Sequence, residues 1–343
     1  MLNILIAGYV QHGHIEEAVK FFHRMQLMAL CPDIVTFLCT LKACGNVGAL
    51  RTGQQIHAEV ARRGFLRSDN IIGNALIEMY SSCGLLEKAH EVFEKLSVQD
   101  IISWTVLIAG YIEHGQSRKA LSLYETIKLN DISPDKITYC CALKACGSLA
   151  VRIKGEELHF EIVKLGFLER DIVIGNNLID MYAKCGSVEE SKRVFEKLHI
   201  RDTGSWNALI SGYDQLGDCH NVLRTFDEIL NESIKPDRIT FLIVLNTCNR
   251  QCLYAMGEKY FDTMIEDYGI IPTLEHHTAM IDLLGRSGQL EKMIHMIEKL
   301  PFCPDAVVWH TLLSACRKWG HVELASQAFE QSLCLEENGI IFL

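Results

Sequence analysis

Asp171-Ile-Val-Ile-Gly-Asn-Asn-Leu-Ile-Asp-Met-Tyr-Ala-Lys-Cys-Gly-Ser187, followed at once by Val188-Glu-Glu-Ser-Lys-Arg-Val-Phe-Glu-Lys-Leu198, decides how this chain is read. The same text stands 102 residues earlier, from Asp69 to Leu96. Asn74 corresponds to Asn176, Met79 to Met181, Tyr80 to Tyr182, Cys83 to Cys185 and Gly84 to Gly186. Pro32, Pro134 and Pro236 keep the same period, as do Cys44, Cys146 and Cys248, and Trp104 and Trp206. Trp309 follows 103 residues on, because one residue is added near Phe302. A register held over such a span is the mark of a repeat array.

Composition narrows the classes. At 343 residues a compact fold implies two or three domains, but an array replaces that arithmetic with a repeat count. The chain is 49% hydrophobic with only six Pro, which excludes a disordered composition. No apolar run approaches the roughly 18 to 20 residues of a membrane span. The formal charge is −10, from 43 acids against 33 bases, which argues against nonspecific polyanion binding while leaving room for a locally basic groove. Fourteen cysteines recur at repeat-equivalent places in apolar patterns, and none has Cys-x-x-Cys spacing. They read as small buried side chains in a reducing compartment rather than as disulfides or zinc ligands. Met1 falls directly into a helical pattern with no targeting segment, so a start further upstream is expected.

One unit shows the architecture. From Ile101, Trp104, Leu107, Ile108 and Tyr111 mark one face of a helix, and Gly115 stops it. Ala120, Leu123, Tyr124 and Ile127 mark a second helix, and Pro134 closes the hairpin. Three lengths alternate: 35 residues at 101–135 and 203–237 (with 1–33 lacking its first two), 36 at 34–69, 136–171 and 238–273, and 31 at 70–100 and 172–202. The last short unit, 274–305, has 32. An all-α fold follows, a right-handed α-solenoid of nine stacked helical hairpins over 1–305, with a groove lined by the first helices. At 306–338, Trp309, Leu312, Leu313 and Cys316 suggest one more helical face, and Leu324, Ala328 and Leu335 another. The apolar tail at 339–343 has no capping repeat, and a second truncation is expected there.

The sequence resembles the plant pentatricopeptide-repeat (PPR) family, in its subclass of alternating long, longer and short repeats (the PLS pattern). The motifs that carry the resemblance are Trp-Asn-Ala-Leu-Ile-Ser-Gly-Tyr at 206–213, Leu-Lys-Ala-Cys-Gly at 41–45 and 143–147, and Asp-Met-Tyr-Ala-Lys-Cys-Gly at 180–186. Asp-Leu-Leu-Gly-Arg-Ser-Gly at 282–288 belongs with them. Trp-His-Thr-Leu-Leu-Ser-Ala-Cys-Arg at 309–317 resembles the start of the E-type extension of organellar RNA-editing factors, which assigns 306–338 to a partial extension. Tetratricopeptide repeats are nearest in length, but their Trp-x-x-Leu-Gly-x-x-Tyr pattern is absent.

The resemblance implies recognition of single-stranded organellar RNA, one base per repeat, by paired side chains. An amide at the fifth position of a first helix offers a base edge both donor and acceptor. The last residue of the repeat, usually Asp, orients that amide or reaches the base through water. Carried over position by position, Asn3 with Asp33, Asn74 with Asp100, Asn176 with Asp202 and Asn207 with Asp237 imply uridine. Thr105 with Asp135 and Thr278 with Asp305 imply guanosine. The 36-residue units have Leu38, Cys140 and Leu242 at the fifth position and read as spacers, giving U-n-U-G-n-U-U-n-G. The implied role is site recognition for C-to-U editing in a mitochondrion or, less favoured, a chloroplast, with the deaminase in another domain or protein. Noncatalytic RNA processing or stability factors and protein–protein adaptors share such a scaffold.

Other readings stand beside these. The terminal Asp residues precede helices, so N-capping is a second role for them, and the asparagines are able to brace a turn. His57-Ala-Glu59 and His159-Phe-Glu161 match the His-x-Glu of zinc deaminases, but they recur with the repeat and no Pro-Cys-x-x-Cys follows, so scaffold is expected and no catalysis, metal or cofactor. His276-His277 and His295 read as a solvated face, and the tryptophans as core rather than as base-stacking platforms.

Overall fold

The computed structural model describes residues 2–28, 30–68, 70–232, 234–301, 304, 306–326 and 328–329. All regular structure among them is helical. In chain order the helices are α1 (Leu2–Gln11), α2 (Ile15–Leu27), α3 (Ile34–Val47), α4 (Leu50–Arg62), the single turn α5 (Phe65–Ser68), α6 (Asn70–Ser82) and α7 (Leu86–Glu94). Then come α8 (Ile101–Glu113), α9 (Ser117–Leu129), α10 (Lys136–Leu149), α11 (Arg152–Lys164), α12 (Ile172–Lys184), α13 (Val188–Lys197) and α14 (Thr203–Gln215). The chain continues with α15 (Cys219–Asn231), α16 (Arg238–Arg250), α17 (Tyr254–Glu266), α18 (Leu274–Arg286), α19 (Leu290–Glu298) and α20 (Ala306–Trp319). Two compact units divide the chain, residues 1–181 and 182–343.

In the first unit, α1, α3, α6, α8 and α10 pack side by side in chain order, and α2, α7 and α9 each wedge between their own first helix and the next. The second unit repeats the plan, with α14, α16, α18 and α20 in one layer and α15, α17 and α19 in the other. Each unit is therefore a two-layer stack of antiparallel hairpins. No hairpin has a core of its own, which is why the array form is obligatory.

The local causes are visible in α8 and α9. Asp100 starts α8, accepting a hydrogen bond from the Ser103 N–H at 2.9 Å. Trp104, Leu107, Ile108 and Tyr111 are all buried along one stripe. Gly115, at φ +70°, turns the chain into α9, a conformation glycine adopts without the penalty of a side chain. Ala120, Tyr124 and Ile127 then close the core from the second layer. Complete burial of a side chain such as Leu107 stabilises by about 1.5–3 kcal/mol, so one hairpin face is worth several times that when its neighbour covers it.

Trp104 and Trp206 belong to this core. Trp104 meets Phe93 edge to face, centroids 4.6 Å apart, and Trp206 meets Phe195 at the same 4.6 Å. Cys44, Cys146 and Cys248 are wholly buried at equivalent places. At the C-terminal end the stripe is centred one residue away from the expected one. Val308, Leu312, Ala315 and Cys316 of α20 are buried against Ile281, Leu284, Met293 and Ile297, whereas Trp309 and Leu313 lie at the margin. Leu324 and Ala328 join this cluster, while Leu335 and the tail at 339–343 lie outside the described residues.

Candidate nucleic-acid interface

Five of the six terminal Asp residues singled out by sequence open the next repeat's first helix. Asp33, Asp100, Asp135, Asp202 and Asp237 each accept a hydrogen bond from the backbone N–H three residues on, at 2.8–2.9 Å. Those N–H groups would otherwise be orphan donors. The N-capping role is thus real at all five. Asp305 lies outside the described residues. Asp100 also accepts from Asn70 Nδ2 at 3.2 Å. Burial works against its charged form, but the bonds from Ser103, Asn70 and the Ile102 N–H outweigh this and hold its pKa below the ordinary value.

The structure joins two of the predicted pairs. Asn207 Nδ2 donates to Asp237 Oδ1 at 3.0 Å, and Asn207 Oδ1 accepts from Thr240 Oγ1 at 2.6 Å. Thr105 Oγ1 lies 2.7 Å from Thr138 Oγ1, which donates to Asp135 Oδ1 at 2.7 Å. Thr105 and Asn207 are buried, at 7% and 8% exposure, and the half-buried Asn74 keeps its Oδ1 out of water with no hydrogen-bond partner among the described residues. Asn176 is half-buried on α12 in the first unit, and Asp202 caps α14 in the second. Thr278 Oγ1 bonds back to its own helix at Leu274 O, 2.9 Å away. Asn3 lies on α1, and its side chain is outside the described residues.

Two sets of residues escaped the sequence reading. One is the hydroxyl three places after each capping Asp: Thr36, Ser103, Thr138, Ser205 and Thr240, all fully buried. The recurring Asp-x-x-Ser/Thr was the available signal, since it is the spacing of a capping box. The other set is a row of branched apolar side chains at the second position of first helices. Val35, Ile71, Ile102, Ile137 and Val173 in the first unit, and Ile239 and Val307 in the second, are all 54–61% exposed. Single exposed apolar residues need no explanation, but a row repeated at one register does. In the second unit a cleft of about 800 Å³ opens on α16, α18 and α20, with Leu242, Thr278 and His310, each the fifth residue of its helix, on its walls.

The chemistry of alternative sites is accounted for by packing. His57 Nδ1 lies 2.9 Å from Tyr80 Oη, and Glu59 pairs with Arg62 and Arg63, whose bonds pull its pKa down to about 2. Glu161 receives Lys128 and the hydroxyls of Tyr124 and Tyr139. Among the described residues no group of three or more His, Cys, Asp or Glu side chains is placed to hold a metal. His276 corrects the sequence reading: it is 1% exposed, not solvated. Its Nδ1 meets Thr273 Oγ1 at 2.7 Å and its Nε2 meets Arg238 O at 2.8 Å, tying α18 to α16. An imidazole satisfied at both nitrogens can be buried where a charged one would be costly.

Known proteins place this architecture. The PPR repeat family model matches residues 1–46, 99–148 and 201–250, and the PPR repeat model matches 74–101, 176–202, 275–301 and 307–333. A pentatricopeptide repeat-containing protein of Arabidopsis thaliana is 36% identical over 367 residues, covering 98% of this chain and 49% of its own length. The Arabidopsis thaliana pentatricopeptide repeat-containing protein CRR2, chloroplastic, is 35% identical over 340 residues, covering 97% of this chain and 51% of its own. This chain belongs to the pentatricopeptide-repeat family. It spans about half the length of the curated relatives it matches. Among solved structures, the pentatricopeptide repeat protein PPR10 from maize is similar with a TM-score of 0.66 at 17% identity, covering 98% of this chain and 53% of that one. The same protein in complex with an 18-nt psaJ RNA element gives a TM-score of 0.65 at 16% identity, covering 98% and 55%. That likeness shows the fold, an all-helical repeat solenoid.

Proposed function

We propose that this chain binds single-stranded organellar RNA in a sequence-specific way, reading one base per long or short repeat. The observation that carries the reading is the recurrent constellation on the first helices. On α6, α8 and α12 a half-buried or buried polar group at the fifth position (Asn74, Thr105, Asn176) stands three residues from an exposed Ile71, Ile102 or Val173 at the second, whereas α14 and α18 have Gly204 and Glu275 at that second place. A nucleobase needs both, an apolar wall for its face and a donor–acceptor pair for its edge. The acidic net charge fits recognition through base edges better than adhesion to phosphates. Asn3 with Asp33, Asn74 with Asp100, Asn176 with Asp202 and Asn207 with Asp237 read uridine. Thr105 with Asp135 and Thr278 with Asp305 read guanosine, giving U-n-U-G-n-U-U-n-G.

The finer role is site recognition for C-to-U editing, with the deaminase supplied by another domain or protein. The motif at 309–317 supports it, as the start of an E-type extension in a PLS array. The names of Arabidopsis thaliana relatives, two of them mitochondrial and that of CRR2 chloroplastic, support an organelle as the place of action. A gel shift with U-n-U-G-n-U-U-n-G against its scrambled version tests RNA reading, and equal binding to both would sink the assignment. Loss of one organellar editing event in a plant lacking the gene tests the editing role, and an intact editing pattern with an altered transcript end would point to RNA processing instead.

A further inference from the structure

We infer that the buried hydroxyl of Thr240 is a positioning residue that makes Asn207 choose uracil over cytosine. The inference rests on the base-reading role proposed above and adds to it the atom that sets the choice.

Uracil and cytosine show a pairing edge of the same shape with donor and acceptor exchanged: uracil has N3–H beside O4, cytosine has N3 beside the N4 amino group. An asparagine amide free to flip by 180° serves either. Asn207 is not free. Its Nδ2 donates to Asp237 Oδ1 at 3.0 Å, and its Oδ1 accepts from Thr240 Oγ1 at 2.6 Å. Thr240 is itself held, since its Oγ1 accepts from the Asp237 N–H at 3.1 Å. Its one proton has two acceptors within reach, Asp237 Oδ1 at 3.0 Å and the amide oxygen at 2.6 Å; the amide oxygen is the nearer and has no proton of its own to offer across that contact, so the hydroxyl donates there. Flipping the amide would set Oδ1 against the Asp237 carboxylate, two acceptors facing each other. One N–H and one lone pair of Asn207 remain for a base, in a fixed order.

Thr138 plays the same part for Thr105. It lies 2.7 Å from the Asp135 carboxylate, the stronger acceptor, so its proton goes there. Thr105 must then donate across their 2.7 Å contact, which leaves only lone pairs on Thr105 for a base and suits the N–H edge of guanine. Asn74 has no such lock. The hydroxyl at the matching place, Ser103, gives its proton to Asp100 at 2.7 Å, and the second oxygen of Asp100 takes Asn70.

The test uses the full chain and the designed RNA with U or C at the seventh nucleotide, facing Asn207, or at the third, facing Asn74. Wild-type protein should prefer U about tenfold at the seventh nucleotide and less at the third, one oriented hydrogen-bond pair being worth about that factor. Thr240→Val should erase the preference at the seventh nucleotide alone, and Thr240→Ser should restore it. A Thr240→Val protein that binds both RNAs more weakly with the U:C ratio unchanged would show a structural role only and overturn the inference. Should that variant not fold, the wild-type comparison still decides: equal U:C ratios at the two nucleotides overturn it. Failure of wild-type protein to distinguish the designed RNA from a scrambled one is a different outcome, which removes the base-reading role itself.

Discussion

Replacing Gly212 by Ala should destabilise this protein although alanine is the better helix former. In the interior of α14 the substitution gains about 1 kcal/mol of helix propensity. A Cβ at residue 212, however, would lie 2.7 Å from Ala183 Cβ. That atom is fixed to the backbone of α12, so one helix must retreat by most of an ångström, and overpacking of this kind costs about 1–3 kcal/mol. The short distance and the rigid neighbour place the cost near the top of that range, for a net loss of about 1–2 kcal/mol. Gly155→Ala is the control. It has the same propensity gain in α11, but its Cβ would meet Met181 Sδ at 2.3 Å, the far end of a flexible side chain that can swing aside. Urea unfolding followed by far-ultraviolet circular dichroism should therefore rank Gly212→Ala below wild type and Gly155→Ala near it. Ala183→Gly in the Gly212→Ala background should recover part of the loss. If Gly212→Ala matched or exceeded wild type, or if Gly155→Ala suffered more, the close approach of helices would not be what glycine serves here.

Other outcomes follow from the same geometry. Asn207→Thr, which puts at that position the side chain found at 105, should move the preference at the seventh nucleotide from U to G by about tenfold in a gel shift, and an unchanged preference would detach Asn207 from readout. Asp100→Ala should cost about 1 kcal/mol at neutral pH through loss of the α8 cap. Because the pKa of Asp100 is lowered from 3.8, its contribution is complete above that value and is lost as pH falls through the lower folded-state value, so wild type and variant should converge in acid urea melts. Burial lowers the His276 pKa from 6.5, outweighing the Arg238 carbonyl that raises it, and burial likewise lowers that of His57. The unfolded chain then takes up protons first, so stability should fall as pH drops below 6.5, and His276→Asn should make that slope shallower.

The fold was legible because its signal is redundant. A 102-residue echo fixes hairpin positions even where a single helix, such as α11 with its weakly patterned face, would be ambiguous. The capping aspartates were legible for the same reason, and as one of two roles. What stayed hidden depends on partners from another repeat. Nothing in the composition of 240 shows that its hydroxyl meets Asn207 from 33 residues away, because the contact exists only once two first helices lie side by side. His276 was misread because a His-His pair looks polar, whereas one of the two points inward to a carbonyl of the preceding first helix. The exposed Val and Ile row was missed because a branched apolar residue in a helical pattern suits a core as well as a surface, and only exposure separates a wall from a filling.

The capping geometry also bears on what could be transplanted. Asp237 closes one repeat by sequence, yet it starts α16, and with Thr240 of that helix it holds Asn207 of the repeat before. The smallest piece that carries its own hydrogen bonds thus runs from the opening of one first helix to the first turn of the next. A chimera cut at the aligned repeat boundary would separate an amide from the groups that aim it. One cut a turn later would move a specificity whole, and a library built on that offset frame could exchange cassettes without retuning each junction.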